Sequence, residues 1–197
     1  MSPQAGKGVG VTSSISLGRY PAARPLNADQ ITEYHAARLL LLLRLCGTKG
    51  RTITGLTKLA KLDFFVRYPA FFNRAAAHLD ESGSSIVHSD TVVNDSPMIR
   101  HRYGPWDPRY YQVLAYLEGR ELLNVDKHDK AFVFSLTDKG HELAAKLAGE
   151  SSFRELVEQM KKVKSIFGDK NGDWLKRLIY RVFEDEVAKL VRGQVIR

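Results

Sequence analysis

The chain has 197 residues, 44% of them hydrophobic, enough for one ordinary domain with extensions and a true core. Lys and Arg total 30 against 22 Asp and Glu, and the resulting charge of +8 is spread along the chain, compatible with nucleic acid and equally with a solvated basic surface. The single cysteine, Cys46, excludes an intrachain disulfide, and the longest apolar run, Leu39–Leu43, is far shorter than the roughly 18 residues of a membrane span.

At the N-terminus no signal-peptide pattern is present, so a soluble cytoplasmic protein without a membrane partner is expected. Residues 1–26 are rich in Gly, Ser, Pro and Ala and read as a mobile tail. Asn27 with Gln30 resembles a capping box. The helix after it runs through Ile31, Tyr34, His35, Arg38 and Leu42 to Cys46, and Gly47 ends it. Leu39–Leu43 is apolar all round, which predicts a central place in the core.

Thr48–Thr52 reads as a polar turn, and Ile53–Tyr68 as a second helix with Leu56, Leu59, Ala60 and Phe64 on one face. Pro69 ends it and opens a short third helix, Ala70–Leu79, giving a helix-turn-helix pattern. A loop insertion is expected near 80–97, where Ile86–Val87 and Thr91–Val93 suggest a short hairpin. Met98–Tyr103 reads as a strand and Gly104–Pro105 as a turn. Asp107 as N-cap and Pro108 at the first helical position predict a helix with Tyr110, Val113, Leu114 and Leu117 inward, ending at Gly119.

Leu122–Val125 then reads as a strand and Asp126–Lys130 as a polar turn. Phe132, Phe134 and Leu136 alternate with Val133 and Ser135, a second strand. It leads directly into a helix capped by Thr137, with Gly140 just inside and Leu143, Ala144 and Leu147 as the stripe. A helix, a two-stranded wing and a closing helix form the back half of a winged helix. Two amphipathic helices follow, Phe153–Phe167 and Trp174–Val191. The expected fold class is therefore mainly α with small β: a winged helix-turn-helix domain over 27–149 and a C-terminal helical extension over 150–197.

No catalytic constellation is present in the sequence. There is no GxxxxGK phosphate loop and no HExxH pair, and Gly6–Gly10 lacks the strand and helix a nucleotide loop needs. Glu184, Asp185 and Glu186 are consecutive on a helix and point in different directions, which suits a solvated face or salt-bridge rim. A non-enzyme without cofactor or metal is expected. The segment Arg100–Tyr111 instead concentrates Arg, Tyr, Trp and His beside a turn. Such residues serve the core, a protein hot spot or phosphate contact.

The helix from Asp107 offers a DNA groove only Arg109 and Gln112, followed by Ala115 and Glu118. The wing tip, with Lys127 and Lys130 among Asp126, His128 and Asp129, is balanced in charge. The candidate DNA contacts are thus Arg109, Gln112, Lys127 and Lys130, in an auxiliary role. The candidate protein-interface residues are Arg100, Arg102, Tyr103, Trp106, Phe153 and Trp174.

Three segments carry a family resemblance: Lys61–Pro69 (KLDFFVRYP), Met98–Asp107 (MIRHRYGPWD) and the Leu136–Gly140 junction (LTDKG). Together they resemble the middle component of three-component ABC-ATPase systems, which include the Lamassu-type bacterial defence systems. The resemblance covers roughly Ile31 to Phe183, and RYGPWD is its most specific part. It implies a small, non-enzymatic winged-helix subunit that sits with an SMC- or Rad50-like ATPase and an effector, commonly a nuclease. That subunit would couple DNA sensing by the ATPase to effector control. The alternative is a winged-helix transcriptional regulator, dimeric through Phe153–Val191.

Overall fold

A computed structural model describes residues 31–79, 97–129 and 131–196. The expectations for the tail 1–26, the Asn27 capping box, the Ile86–Val87/Thr91–Val93 hairpin and Lys130 lie outside the described residues.

The protein is mainly helical with a small antiparallel sheet. Helix α1 (Thr32–Cys46) carries Leu39–Leu43, each at most 2% exposed, through the middle of the core. Helices α2 (Leu56–Arg67) and α3 (Pro69–Leu79) follow. They part at Tyr68, whose φ of −123° and ψ of 78° are non-helical, as proline demands of the residue before it. From Leu59 to Arg67 every residue of α2 is buried, so the helix has no solvent face there. Its charged residues Lys61, Asp63 and Arg67 must therefore find partners inside.

The structure corrects several sequence expectations. Thr52–Thr54 is not the end of a turn and the start of a helix but a strand, β1. It pairs with the strand Ala131–Leu136, placing Ile53 opposite Phe134. Gly104–Pro105 is not a turn: Ile99–His101 (β2) and Gly104–Trp106 (β3) form a hairpin. Asp107 does not cap a helix starting at Pro108. Helix α4 begins at Tyr110, after a turn in which the Asp107 carboxylate accepts from the Arg109 N–H at 3.0 Å. The strand at Leu123–His128 (β4) consumes most of the predicted wing-tip turn and pairs along its whole length with Ala131–Leu136 (β5).

The sheet order is β1-β5-β4. Thr137 caps α5 (Asp138–Gly149) as expected, its Oγ1 accepting from the Gly140 N–H at 3.0 Å. The buried positions of that helix are Gly140 and Ala144, while Leu143, predicted inward, is 36% exposed.

Helix α6 (Arg154–Phe167) packs on α1 and α2, and α7 (Gly172–Val182) on α2 and α3. Phe167 stacks on Phe65, ring centroids 4.5 Å apart, and Phe183 packs edge-on to Phe71 at 4.8 Å. The C-terminal helices thus share one core with the rest. The predicted single helix Trp174–Val191 breaks at Phe183, where a π-turn (Glu184–Ala188) takes over. The acidic cluster there is a salt-bridge rim: Lys189 pairs with Glu184 and Asp185, and Arg74 with Glu186. The chain then returns beside β2, with Val195 bridging Ile99. Among the described residues no helix is long and apolar enough to cross a membrane.

Candidate functional site

Two surfaces carry the residues singled out by sequence: the face of α4 with its hairpin, and the β2–β3 corner.

The first is positioned by a buried ionic network. Arg38 of α1 donates from Nε to Asp63 at 2.9 Å, and the Tyr110 hydroxyl donates to the same carboxylate at 2.8 Å. Arg67 donates to Asp107 at 2.8 Å, and Arg109 grips that carboxylate through Nε (3.0 Å) and Nη2 (2.8 Å). His35 lies between Arg38 and Arg109, 2.9 Å and 2.7 Å from their guanidinium nitrogens. Burial opposes ionisation of Asp107, but hydrogen bonds from the Arg109 side chain and backbone, with the Arg67 and Arg109 charges, hold its carboxyl well below the usual range. Burial, followed by the charge of Asp63, pushes the Tyr110 hydroxyl well up, so it stays a donor.

This network fixes the rotation of α4. With Tyr110, Val113, Leu114 and Leu117 inward, the outward residues are Tyr111, Gln112, Ala115 and Glu118. Tyr111 is 65% exposed. Between α4 and the β4–β5 hairpin lies a groove of about 170 Å³ whose walls include Tyr111, Leu114, Val125, Phe132 and Phe134. Of the candidate DNA contacts, Gln112 and Lys127 are exposed, but the Arg109 guanidinium is folded onto Asp107 and His35. The sequence offers Arg109 as a DNA contact; the fold engages its charge internally.

The second surface brings Arg100, Arg102, Tyr103 and Trp106 together on one hairpin. Trp106 stacks on His101 at 5.2 Å and meets Tyr110 edge-on at 5.0 Å, tying the hairpin to α4. Tyr103 is 46% exposed at the tip, with the Arg102 guanidinium 5.3 Å from its ring centre. Phe153 and Trp174 do not join this corner. Phe153 leads into α6 and Trp174 lies in the first turn of α7, both half-buried against the core.

Sequence reasoning missed the residue beneath the hairpin. Lys61 of α2 is 1% exposed and donates to the Pro105 carbonyl at 2.8 Å. Burial, then the charges of Arg100 and Lys176, push its ammonium down to about 7. The available signal was a lysine in a stretch whose neighbours are apolar on both faces. Since the unfolded chain holds this proton up to the ordinary 10.5 and the folded chain does not, stability rises with pH between those values. Relative to Lys61→Met, the native chain is expected to gain about 2 kcal/mol between about pH 7 and 9. Urea melts at the two pH values measure this; parallel responses of the two proteins would refute it.

Elsewhere, burial pushes the Cys46 thiol up to about 12, which suits a core residue and not a nucleophile. Among the described residues no group of three or more His, Cys, Asp or Glu is placed to hold a metal. Comparisons with protein-family models, curated proteins and solved structures found no match.

Proposed function

We propose that this chain is a cytoplasmic, non-catalytic winged-helix subunit that bridges an SMC- or Rad50-like ATPase and an effector, a nuclease by the resemblance above, in an anti-phage or anti-plasmid defence complex. Support for the winged helix comes from the sheet order β1-β5-β4, with α4 leading into the β4–β5 hairpin. The observation that carries the protein-binding role is the surface of α4. A DNA reader presents cations and amides there. This helix presents Tyr111, Ala115 and Glu118 beside an apolar groove, with Gln112 as its one outward amide, and the arginine at its N-terminus, Arg109, is turned onto Asp107. Exposed aromatics over an apolar patch favour a protein partner. DNA contact through Gln112, Lys127 and Lys130 is auxiliary in this reading.

The test is to co-express the chain with a long coiled-coil ATPase and an effector where its neighbouring genes encode them. The chain is expected to co-elute with them, and Tyr111→Glu combined with Phe132→Glu to abolish co-elution while leaving the thermal melt intact. A stable species that ignores the ATPase would sink the proposal. Tight binding to its own promoter at physiological salt would favour a transcriptional regulator instead.

A further inference from the structure

We propose that the tip of the β2–β3 hairpin and the stretch of α7 beside it bind single-stranded nucleic acid: Arg102, Lys176 and Arg192 take the phosphates, and Tyr103 stacks on an unpaired base. The inference goes beyond the protein-binding reading of α4 and uses different residues. It moves Arg102 and Tyr103 from the expected protein interface to a nucleic-acid one.

The hairpin tip is held from two sides. Gly104, at φ +96°, brings it against α7, where a Cβ would lie 3.4 Å from Tyr180 Cε1. The Tyr180 hydroxyl donates to the Arg102 carbonyl at 3.3 Å. On the open edge of β2, the Arg100 N–H donates to the Gln194 carbonyl and the Arg100 carbonyl accepts from the Gly193 N–H, both at 2.7 Å. That pairing brings Arg192 alongside the hairpin. A surface fixed in this way loses little freedom when it binds.

Every side chain in the proposal reaches solvent: Tyr103 is 46% exposed, Arg102 and Arg192 are exposed and Lys176 is half-buried. Two cations attend Tyr103, the Arg102 guanidinium 5.3 Å and the Lys176 ammonium 5.8 Å from its ring centre. Lys176 and its neighbour Arg177 share one carboxylate, Asp173, and Arg102 and Arg192 have no carboxylate partner among the described residues. The next acidic run along the chain, Glu184–Glu186, is already engaged by Lys189 and Arg74. Burial, then the charges of Lys61, Arg192, Arg100 and Arg102, push the His101 imidazolium down, so these cations converge on one place. The corner therefore has a positive potential that its described carboxylates do not neutralise.

Exposed cations around an exposed ring are what a single strand requires, with phosphates on the charges and a base on the ring. An acidic protein segment uses the charges and gives Tyr103 nothing planar to stack on. A duplex keeps its bases stacked on one another and also uses the charges alone. His101, exposed and stacked on Trp106 at 5.2 Å, presents a second ring beside the tip.

Fluorescence anisotropy on the full chain tests this, with labelled oligo-dT, the same strand annealed to oligo-dA, and a labelled oligoglutamate peptide over a series of salt concentrations. The native chain is expected to bind oligo-dT tightest. Arg102→Gln combined with Arg192→Gln is expected to weaken it roughly tenfold and to flatten the log–log salt slope by about 1.4, at about 0.7 per phosphate contact. Tyr103→Ala is expected to weaken oligo-dT about fivefold or more with the slope unchanged, and Tyr103→Phe to bind as the native chain does. Lys146→Gln combined with Lys162→Gln, exposed on α5 and α6, matches the lost charge and is expected to leave binding nearly unchanged. Thermal melts establish that each variant is folded. No binding of oligo-dT, or equal affinity of the site variants and the charge-matched control, would overturn the proposal. So would tighter binding of oligoglutamate or of the duplex than of oligo-dT. The measurement needs no ATPase, so its failure leaves the co-elution test standing, and the reverse holds.

Discussion

Asp63→Asn is expected to lower the free energy of unfolding by about 3–5 kcal/mol, the typical cost of breaking a buried ion pair from one side. The Asp63 side chain is fully buried, as are those of Arg38 and Arg67. Its carboxylate accepts from Arg38 Nε at 2.9 Å, Arg38 Nη2 at 3.3 Å and the Tyr110 hydroxyl at 2.8 Å, with Arg67 3.7 Å away. An amide in the same volume removes the charge and turns a donor toward donors. Among the described residues, Asp107 is then the carboxylate that remains beside the arginines. Because Tyr110 anchors α4, the same change should loosen the face proposed to meet the ATPase. Urea denaturation reads the first effect and co-elution the second. The exposed pair Lys161–Glu158 serves as the control, since removing it should leave the midpoint unchanged. A loss below about 1 kcal/mol for Asp63→Asn would show that the network relaxes around the missing charge.

Gly140→Ala is expected to cost about 3 kcal/mol, the upper end for overpacking, because the added methyl meets backbone and not a movable side chain. A Cβ at Gly140 would lie 1.9 Å from the Leu122 carbonyl oxygen and 2.8 Å from its carbon. The contact is held from several directions. Thr137 Oγ1 donates to the Glu121 carbonyl at 2.7 Å and accepts from Gly140 N–H, and the Thr137 N–H donates to the Leu122 carbonyl at 3.3 Å. Glu121, at φ 59°, is in the left-handed region, so this turn has little room to yield. Relief requires α5 to lift from the start of β4. A helical alanine is otherwise favoured over glycine by nearly 1 kcal/mol, so an unchanged or stabilised Gly140→Ala protein would mean the two loops separate freely.

How much of this was visible beforehand depends on the range of the interactions. The strand-to-helix junction was legible in Phe132–Ala148, since alternation and the Thr137 cap are local signals. So was the central role of α1, because five consecutive apolar residues leave a helix no polar face. Strand β1 was not legible. Three residues carry almost no periodicity, and Thr52–Thr54 become a strand because β5, far along the chain, offers them partners. The start of α4 was misread for a similar reason. Asp107 and Pro108 have the local form of a helix start, and the carboxylate does accept the Arg109 N–H, but it is also gripped by the Arg67 and Arg109 side chains and the helix begins only at Tyr110.

The candidate sites divide along the same line. By itself the sequence determined which residue types lie between Arg100 and Tyr111 and that the segment 126–130 is balanced in charge, since both are properties of consecutive residues. Only the tertiary structure decided which charges stay available. It folded Arg109 inward onto Asp107 and set Lys61 under the hairpin, on the Pro105 carbonyl. The physical reason is that desolvation and charge pairing depend on neighbours brought together by packing, and side-chain type alone does not specify them.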